Sequence, residues 1–128
     1  MALDPSRHCK VMVQAMKGSE VIGTSRTNHM GGPNLPQHTN VKTIKLNQTA
    51  VTLKATKTFT LKPAITKENS KKDLLPTGHG AYYRYVTTDS AVAAVDANGV
   101  ITAKTPGTCI VCVIAQNGLA VRITVTVK

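Results

Sequence analysis

Two cysteines near the carboxyl end of the chain have the spacing of a redox or metal-binding motif, Cys109-Ile110-Val111-Cys112. In thioredoxin-like proteins a C-x-x-C motif opens a helix, whose dipole lowers the pKa of a thiol. Here the motif lies within a strand-like run, so the two thiols are expected on opposite faces of a strand. At about 3.3 Å per residue their Cα atoms would be about 10 Å apart, beyond disulfide reach. We interpret both cysteines as small apolar strand residues.

Two sets of side chains are the candidates for a metal site. The zinc candidates are the two cysteines with one of four histidines, His8, His29, His38 or His79. The calcium candidates are three turn residues, Asp89, Asp96 and Asn98. The opposed thiols do not converge on a zinc ion, and the turn residues have an ordinary role in turns and do not approach the six or more oxygens of a calcium site. The sequence predicts no metal and no cofactor.

The motifs of common enzyme chemistry are missing from the sequence. It contains no paired carboxylates, no nucleophile elbow, no H-E-x-x-H run and no glycine loop of the kind that holds phosphate. Gly78-His79-Gly80 is too short for such a loop and is expected at a loop tip. The sequence therefore predicts a protein that is not an enzyme and has no catalytic residue.

The chain is strongly basic, with 16 Lys and Arg against 6 Asp and Glu and a formal net charge of +10. Such a surface attracts polyanions in general, although dispersed lysines more often serve solubility. Basic and aromatic side chains in and after the segment 66–80 form a candidate ligand surface for a glycan or an anionic wall polymer: Lys67, Lys71, Lys72, His79, Tyr82 and Arg84.

A nucleic-acid partner is not predicted, because single-strand binders interleave basic residues with several stacking aromatics. Tyr82-Tyr83-Arg84-Tyr85 is the one such cluster in the sequence. Strand alternation places Tyr83 and Tyr85 in the core and leaves Tyr82 and Arg84 outside. One exposed tyrosine is not a stacking platform.

The elements that position these residues are strands, since apolar residues recur with a period of two from residue 44 onward. Phe59 to Ile65 forms one such run, which Pro63 should place at a sheet edge or a bulge. Residues 66–80 predict a long polar loop, anchored only by Leu74 and Leu75. Two Asn-Gly signals, Asn98-Gly99 and Asn117-Gly118, separate strand-like runs and predict hairpins with type I′ turns. With no run of helical period, these features predict an all-β sandwich.

The first 40 residues predict a tail rather than a second domain. Lys10–Met16 and Glu20–Thr27 are strand-like runs around Lys17-Gly18-Ser19, which predicts an N-terminal β-hairpin at about residues 9–28. Residues 30–40 have the Gly, Pro and Asn content of a linker. The predicted division is a tail at 1–40 and one domain at 41–128.

An outward apolar stripe is expected on the strand that contains the two nearby cysteines. If Val111 and Val113 face the core, then Ile110, Cys112 and Ile114 face outward and need cover. A lone two-stranded hairpin is marginal in water, so we expect residues 8–28 to dock over this stripe. Docking would bring Cys9 near Cys112, although a disulfide between them is the less favoured outcome for an odd count of three cysteines.

The segment from Val41 to Lys128 resembles the bacterial Ig-like domain, group 2. Its opening, VKTIKLNQTAVTLKATKTFTLKPAI, is similar to the first two strands of that family, and its closing VRITVTVK to the last strand. The middle is similar to the family's run from S/T-D-S-x-V-A to N-G-V-I-T-A and G-T, here Thr88 to Thr108. Three features depart from the pattern: Tyr85 where Trp is common, a longer loop at 66–80, and Cys109 and Cys112 where Ala and Thr are more frequent.

The tail carries a second resemblance. Residues 8–28 are similar to the last two strands of a fibronectin type III or related Ig-like domain, through Val11, Val13, Ala15, Gly18 and Ser25. This resemblance implies that the hairpin is the terminal hairpin of a preceding domain.

The resemblances imply an Ig-like two-sheet β-sandwich with an additional N-terminal β-hairpin, and a role without catalysis. Bacterial Ig-like domains occur in adhesins, wall-attached proteins and secreted enzymes, usually as rigid spacers, and this step rests on analogy. We expect a structural spacer or adhesion module of a larger bacterial cell-surface or secreted protein, whose partners are neighbouring domains of the same polypeptide. The alternative functions are a module that binds a carbohydrate or an anionic wall polymer through its basic surface, with a cell-wall or host glycan or protein as partner, and, less favoured, an intracellular basic domain that binds nucleic acid.

The sequence shows neither a signal peptide nor a membrane span. The start of the chain has no basic region followed by an apolar region, so no signal peptide is recognised in it. An exported protein would then need its signal elsewhere in a longer product. No apolar run approaches the roughly 20 residues of a membrane span, so no membrane insertion is expected.

Overall fold

A computed structural model describes residues 4–25, 27–79 and 81–128, and these residues form an all-β structure, as predicted. A single 3-10 turn at Thr77–His79 is the helical element of this part of the chain. The strands are β1 (His8–Val11), β2 (Gln14–Lys17), β3 (Glu20–Thr24), β4 (Asn28–Gly31), β5 (His38–Thr39), β6 (Val41–Lys45), β7 (Ala50–Leu53), β8 (Thr58–Thr60), β9 (Ala64–Lys67), β10 (Asp73–Leu74), β11 (Tyr83–Thr87), β12 (Ala93–Val95), β13 (Val100–Ala103), β14 (Gly107–Ala115) and β15 (Ala120–Val127).

Two sheets face each other across the main core and form the predicted sandwich. One has the strand order β11-β14-β15-β7 and the other β12-β13-β8. The core between them is built from branched aliphatic side chains of both sheets, among them Ile101, Val111 and Ile123, which have no exposed surface. Such packing of two apolar inner faces is what stabilises a sandwich of this size.

β14 is the longest strand and lies inside the four-stranded sheet, between β11 and β15. Cys109, Val111 and Val113 are buried, while Ile110, Cys112 and Ile114 are partly exposed on the other face. The alternation predicted for this strand is therefore confirmed. It follows the period of two that any strand with one buried face must keep.

The run from Phe59 to Ile65 differs from the prediction of one strand, because it is divided into β8 and β9. β8 pairs with β13, whereas β9 pairs with β6. Pro63 lies in the break between the two strands, where no backbone N–H is needed for sheet pairing. Asn47 satisfies the exposed backbone at this point, donating to the Thr60 carbonyl at 3.3 Å and accepting from the Lys62 N–H at 3.1 Å.

Both predicted hairpin turns are present, but their geometry is not type I′. The Ala115 N–H donates to the Leu119 carbonyl and the Gly118 N–H to the Ala115 carbonyl, and residues 96–100 repeat the same two bonds. Only the glycine of each Asn-Gly pair has a positive φ, +78° at Gly99 and +87° at Gly118. These are three-residue loops that end in one left-handed residue, so the asparagines need no strained backbone.

The N-terminal segment forms a long ribbon, defined here as residues 8–25 and 27–31. β2 and β3 make the predicted hairpin, with Gly18 at φ +64° in its turn, and β1 pairs with β4 behind it. Among the described residues, the ribbon meets the sandwich around an open cavity of about 430 Å³, which Val13, Ser25 and Asn28 line from the ribbon side and Arg84 and Ile114 from the sandwich side. The expectation that residues 8–28 would dock over the outward stripe of β14 holds beside Ile114 but not for β2 and β3, which are exposed along their full length.

Residues 30–40 differ from the predicted linker, because tertiary contacts hold them. Met30 and Gly31 belong to β4, and His38 and Thr39 form β5, which pairs in parallel with β10. Leu35 and Thr39 are buried. The segment 66–80 is consequently tied down as well, since β10 lies within it and Leu75 is buried beside the predicted anchor Leu74.

The turn that joins β14 to β15 connects three otherwise separate segments. The Gln116 side chain is only 6% exposed and donates from Nε2 to the Leu75 carbonyl at 3.0 Å. Its backbone carbonyl accepts from the His29 N–H at 2.7 Å, which fixes the ribbon. Asn117 Nδ2 donates to the Val41 carbonyl at 3.0 Å. One turn thus holds the ribbon, the segment 66–80 and the start of β6.

Replacement of Gly99 by alanine is expected to destabilise the sandwich by about 1–2 kcal/mol, the usual cost of a left-handed conformation outside glycine. A Cβ at this position would also lie 2.8 Å from Cζ of Tyr85. Chemical denaturation of the variant measures the loss. Gly78→Ala is the matched control, because Gly78 has no left-handed φ and open space around its Cβ position. Equal stability of both variants would contradict the assigned turn geometry.

Replacement of Gln116 by leucine keeps the volume but removes the donor to Leu75, leaving a buried carbonyl unpaired. We expect a loss of about 1–3 kcal/mol in the free energy of unfolding. We also expect faster amide exchange in the segment 66–80 than in β12 and β13. Thr124→Leu, at an exposed position of the neighbouring strand, is the control. Unchanged exchange in 66–80 would show that Gln116 does not hold that segment.

Candidate functional site

The structure brings two of the six predicted surface residues into one groove. Lys67 at the end of β9 and Tyr82 just before β11 line an open cavity of about 540 Å³. Tyr82 is 41% exposed, so its ring is available to a ligand. The remaining walls come from β5, β9, β10 and the turn after β10, and the lining residues are His38, Ile65, Asp73, Leu74 and Pro76.

The polar groups of this groove carry both charges. Lys67 Nζ lies 3.8 Å from Asp73 Oδ1, and the Asp73 side chain is 91% exposed. A pair so exposed contributes little to stability, so both groups can turn to a ligand at small cost. His38 Nδ1 is buried and has no hydrogen-bond partner among the described residues. The groove therefore offers a cation, a carboxylate and an aromatic ring, and the His38 side chain forms part of its wall.

Three other predicted surface residues serve different purposes. Lys72 donates from Nζ to the Leu35 carbonyl and so ties the segment 66–80 to the segment before β5. Arg84 Nη2 donates to Asn28 Oδ1 at 2.5 Å, which clamps β11 to the base of the ribbon. Lys71 is exposed outside the groove. The side chain of His79 lies outside the described part of the chain.

His38, named above only as a zinc candidate, and Asp73 are the polar groove residues missing from the predicted ligand surface. They face each other in the parallel pairing of β5 with β10, where Asp73 lies opposite His38. The partners are 35 residues apart, and each strand has two residues, too few for any alternation to be read. The Asp73-Leu74-Leu75 run next to a basic pair was the one available signal.

The other two tyrosines of the aromatic cluster belong to the sandwich, as strand alternation predicts. Tyr83 and Tyr85 pack against the main core with ring centroids 6.3 Å apart, and Tyr83 Oη donates to the Pro63 carbonyl at 3.2 Å. Burial raises the pKa of both phenols above the ordinary tyrosine value, and the charge of Asp96 adds to the effect at Tyr85. Neither ring is a stacking surface.

The cysteines and acidic turn residues have local structural roles. All three thiols are free; Cys9 lies opposite Met30 in the ribbon, and Cys109 Sγ accepts from Thr87 Oγ1 at 3.7 Å. The Cys9–Cys112 disulfide is therefore not formed. Asp96 Oδ1 accepts from the N–H groups of Asn98 and Val100. Across residues 4–25, 27–79 and 81–128, no group of three or more His, Cys, Asp or Glu side chains could hold a metal ion.

Solved structures with a similar fold come from bacterial surface layers. Domains 5–6 of the S-layer protein SbsC match with a TM-score of 0.55 and 13% identity over 71% of this chain and 45% of that one. Domains 4 and 5 match with a TM-score of 0.54 and 13% identity over 80% and 58%. The longer SbsC chain (31-844) matches with a TM-score of 0.55 and 13% identity over 94% and 16%. This chain thus spans about half, or less, of the structures that it resembles, and at this identity the likeness concerns the fold.

Sequence comparisons identify the sandwich. No match was found among curated proteins. The described part of the chain contains no helix long and apolar enough to span a membrane. The family profile of the bacterial Ig-like domain (group 2) matches residues 40–125, which include every strand of both facing sheets except the last two residues of β15. The chain belongs to the bacterial Ig-like domain (group 2) family.

Proposed function

We propose that this chain is a non-catalytic structural and adhesion module of a larger bacterial cell-surface or secreted protein. The observation that carries the proposal is the path of the chain through the sandwich. Val41 enters beside Asn117 at one end, and Lys128 leaves at the other end, where its N–H donates to the Leu53 carbonyl at 2.9 Å. β15 connects the two ends over eight residues, about 26 Å at 3.3 Å per residue.

A domain with its entry and exit at opposite ends extends a polypeptide, which is the geometry that a spacer needs. Pulling on Val41 and Lys128 loads the parallel pair β7 and β15 in opposite directions along the strands. All the ladder bonds from Ala50 to Leu53 then resist together, instead of opening one at a time. The resemblance in fold to domains of a surface-layer protein supports the same role.

The native size and cell fraction of the product test this proposal. An antibody against residues 41–128 should detect a band well above 13.6 kDa in the cell wall or the medium. A cytosolic marker protein, followed on the same blot, controls for lysis. A 13.6-kDa band confined to the cytosol would mean that the sandwich serves another purpose inside the cell.

The groove supports a second candidate function, binding of a glycan or an anionic wall polymer. Tyr82 presents an aromatic face, Asp73 presents carboxylate oxygens, and Lys67 presents a positive charge beside them. The volume, about 540 Å³, falls within the range of small-molecule sites. The net charge of +10 would draw an anionic polymer towards the surface before the groove engages it.

Retention on immobilised cell-wall polysaccharide separates the two candidates. A binder should be retained at low salt and released at high salt, because exposed charges are screened. The double variant Lys67→Ala, Tyr82→Ala should then lose about tenfold in affinity, equivalent to about 1.4 kcal/mol. Lys104→Ala, an exposed lysine outside the groove, is the charge-matched control. If the control reduces retention as much as the double variant, the charge and not the groove is responsible.

A further inference from the structure

The tip of the ribbon, defined as residues 11–24, carries most of the exposed large hydrophobic side chains of the described chain. Nine large hydrophobic side chains are exposed among the described residues. Six of them lie in the tip: Val11, Met12, Val13, Met16, Val21 and Ile22. Val13 is 68% exposed and Ile22 62%. Clustered apolar side chains of this kind mark an interaction surface, whereas scattered ones need no explanation.

The backbone of the tip is equally incomplete. β2 and β3 form a sheet of only two strands, and every residue in both is exposed. Two-stranded ribbons are at best marginal in water, and a third strand or a packed face is needed for stability. The outer edges of β2 and β3 also present N–H and C=O groups that a further strand could pair with. A further strand or a packed sheet face would complete the tip.

The base of the ribbon, in contrast, is fixed to the sandwich. The Asn40 side chain accepts from the Gly31 N–H at 2.6 Å and donates to the Gly31 carbonyl at 2.8 Å. His29 is buried and bonds to the turn at Gln116, and Arg84 holds Asn28. A rigid base with an exposed tip sets the direction in which the tip is offered to a partner.

We infer that the tip docks into a second β-sandwich module of the same polypeptide, where β2 and β3 complete a sheet and their apolar side chains enter that module's core. The open strand edges require a β-strand as the partner, and the apolar side chains require a hydrophobic sheet face beside it. This inference rests on the proposed function, since it needs a longer protein. It makes the ribbon a rigid link between consecutive modules.

The comparison structures favour a neighbouring module over a second copy of the chain. The match to SbsC domains 5–6 covers 71% of this chain, but the matches to the longer SbsC chains cover 93% and 94%. A coverage of 94% leaves about 8 of 128 residues unmatched, fewer than the tip contains. The span aligned with a chain of several domains therefore extends into the ribbon.

Hydrogen exchange of the tip, measured in two forms of the protein, tests the inference. In the isolated 128-residue chain, amides 14–24 should exchange almost as fast as in free peptide, while β14 and β15 stay protected. In the native product, captured with the antibody against residues 41–128, the same amides should be at least tenfold slower. The native product's size and cell fraction, measured separately, report on the proposed function itself.

Three results would contradict the inference, and each has a different consequence for the proposed function. A larger surface product whose amides 14–24 exchange freely would overturn the inference and leave the proposed function intact. An isolated chain that is dimeric by light scattering and already protected at 14–24 would overturn it in favour of a second copy. A 13.6-kDa cytosolic product would overturn both proposals.

A pair of variants adds a test that does not depend on exchange rates. Ile22→Lys should leave the melting temperature of the isolated chain unchanged, because Ile22 is largely exposed there. In the native product it should raise the rate of proteolytic cleavage near residue 22 by at least tenfold. Leu119→Lys, an exposed hydrophobic position outside the ribbon, is the control and should change neither quantity. Equal cleavage of both variants would contradict a docked tip.

Discussion

The buried amide of Gln116 is the constraint on which the peripheral structure depends. A primary amide has two donors and an acceptor to satisfy when it leaves water, so the segments around it must supply partners at fixed positions. It bonds to Leu75, while the carbonyl of the same residue bonds to His29 and the next side chain bonds to Val41. The β14–β15 hairpin, whose strands are fixed by the core, therefore determines where the ribbon, the segment 66–80 and β6 lie.

The groove is a consequence of that arrangement. Its floor is the two-residue pairing of β5 with β10, which is too short to persist without support at both ends. Leu75 anchors one side, through its own burial and the bond from Gln116, and Lys72 anchors the other through the Leu35 carbonyl. Asp73 can thus be exposed to solvent on a rigid support, next to the partly buried His38. This explains how a long polar insertion in a sandwich presents side chains in a defined geometry.

The sequence correctly predicted features that depend on neighbouring residues, and it missed features that depend on residues far away in the chain. The period of two along β14, the turn positions at Gly99 and Gly118, and the division of Tyr82 from Tyr83 all follow from neighbouring residues. The pairing of β5 with β10 and the break between β8 and β9 depend on partners far away in the chain. Gly and Pro in residues 30–40 indicated irregular backbone correctly, but irregular backbone can still be buried, as Leu35 is. Hence the predicted ligand surface included Lys67 and Tyr82 of the groove but not His38.

The charge pattern of the ribbon separates it from an ordinary exposed edge. Natural proteins protect free edges with charged residues, proline or short strands, because an open edge otherwise recruits other chains. The hairpin from Gln14 to Thr24 has only Lys17 and Glu20 as charges, both beside the turn, and no proline. In a strand exposed to water, its apolar side chains would favour aggregation with other chains. The same content is what a strand needs when both of its faces are to be covered, so the composition of the tip agrees with its open edges in requiring a partner sheet.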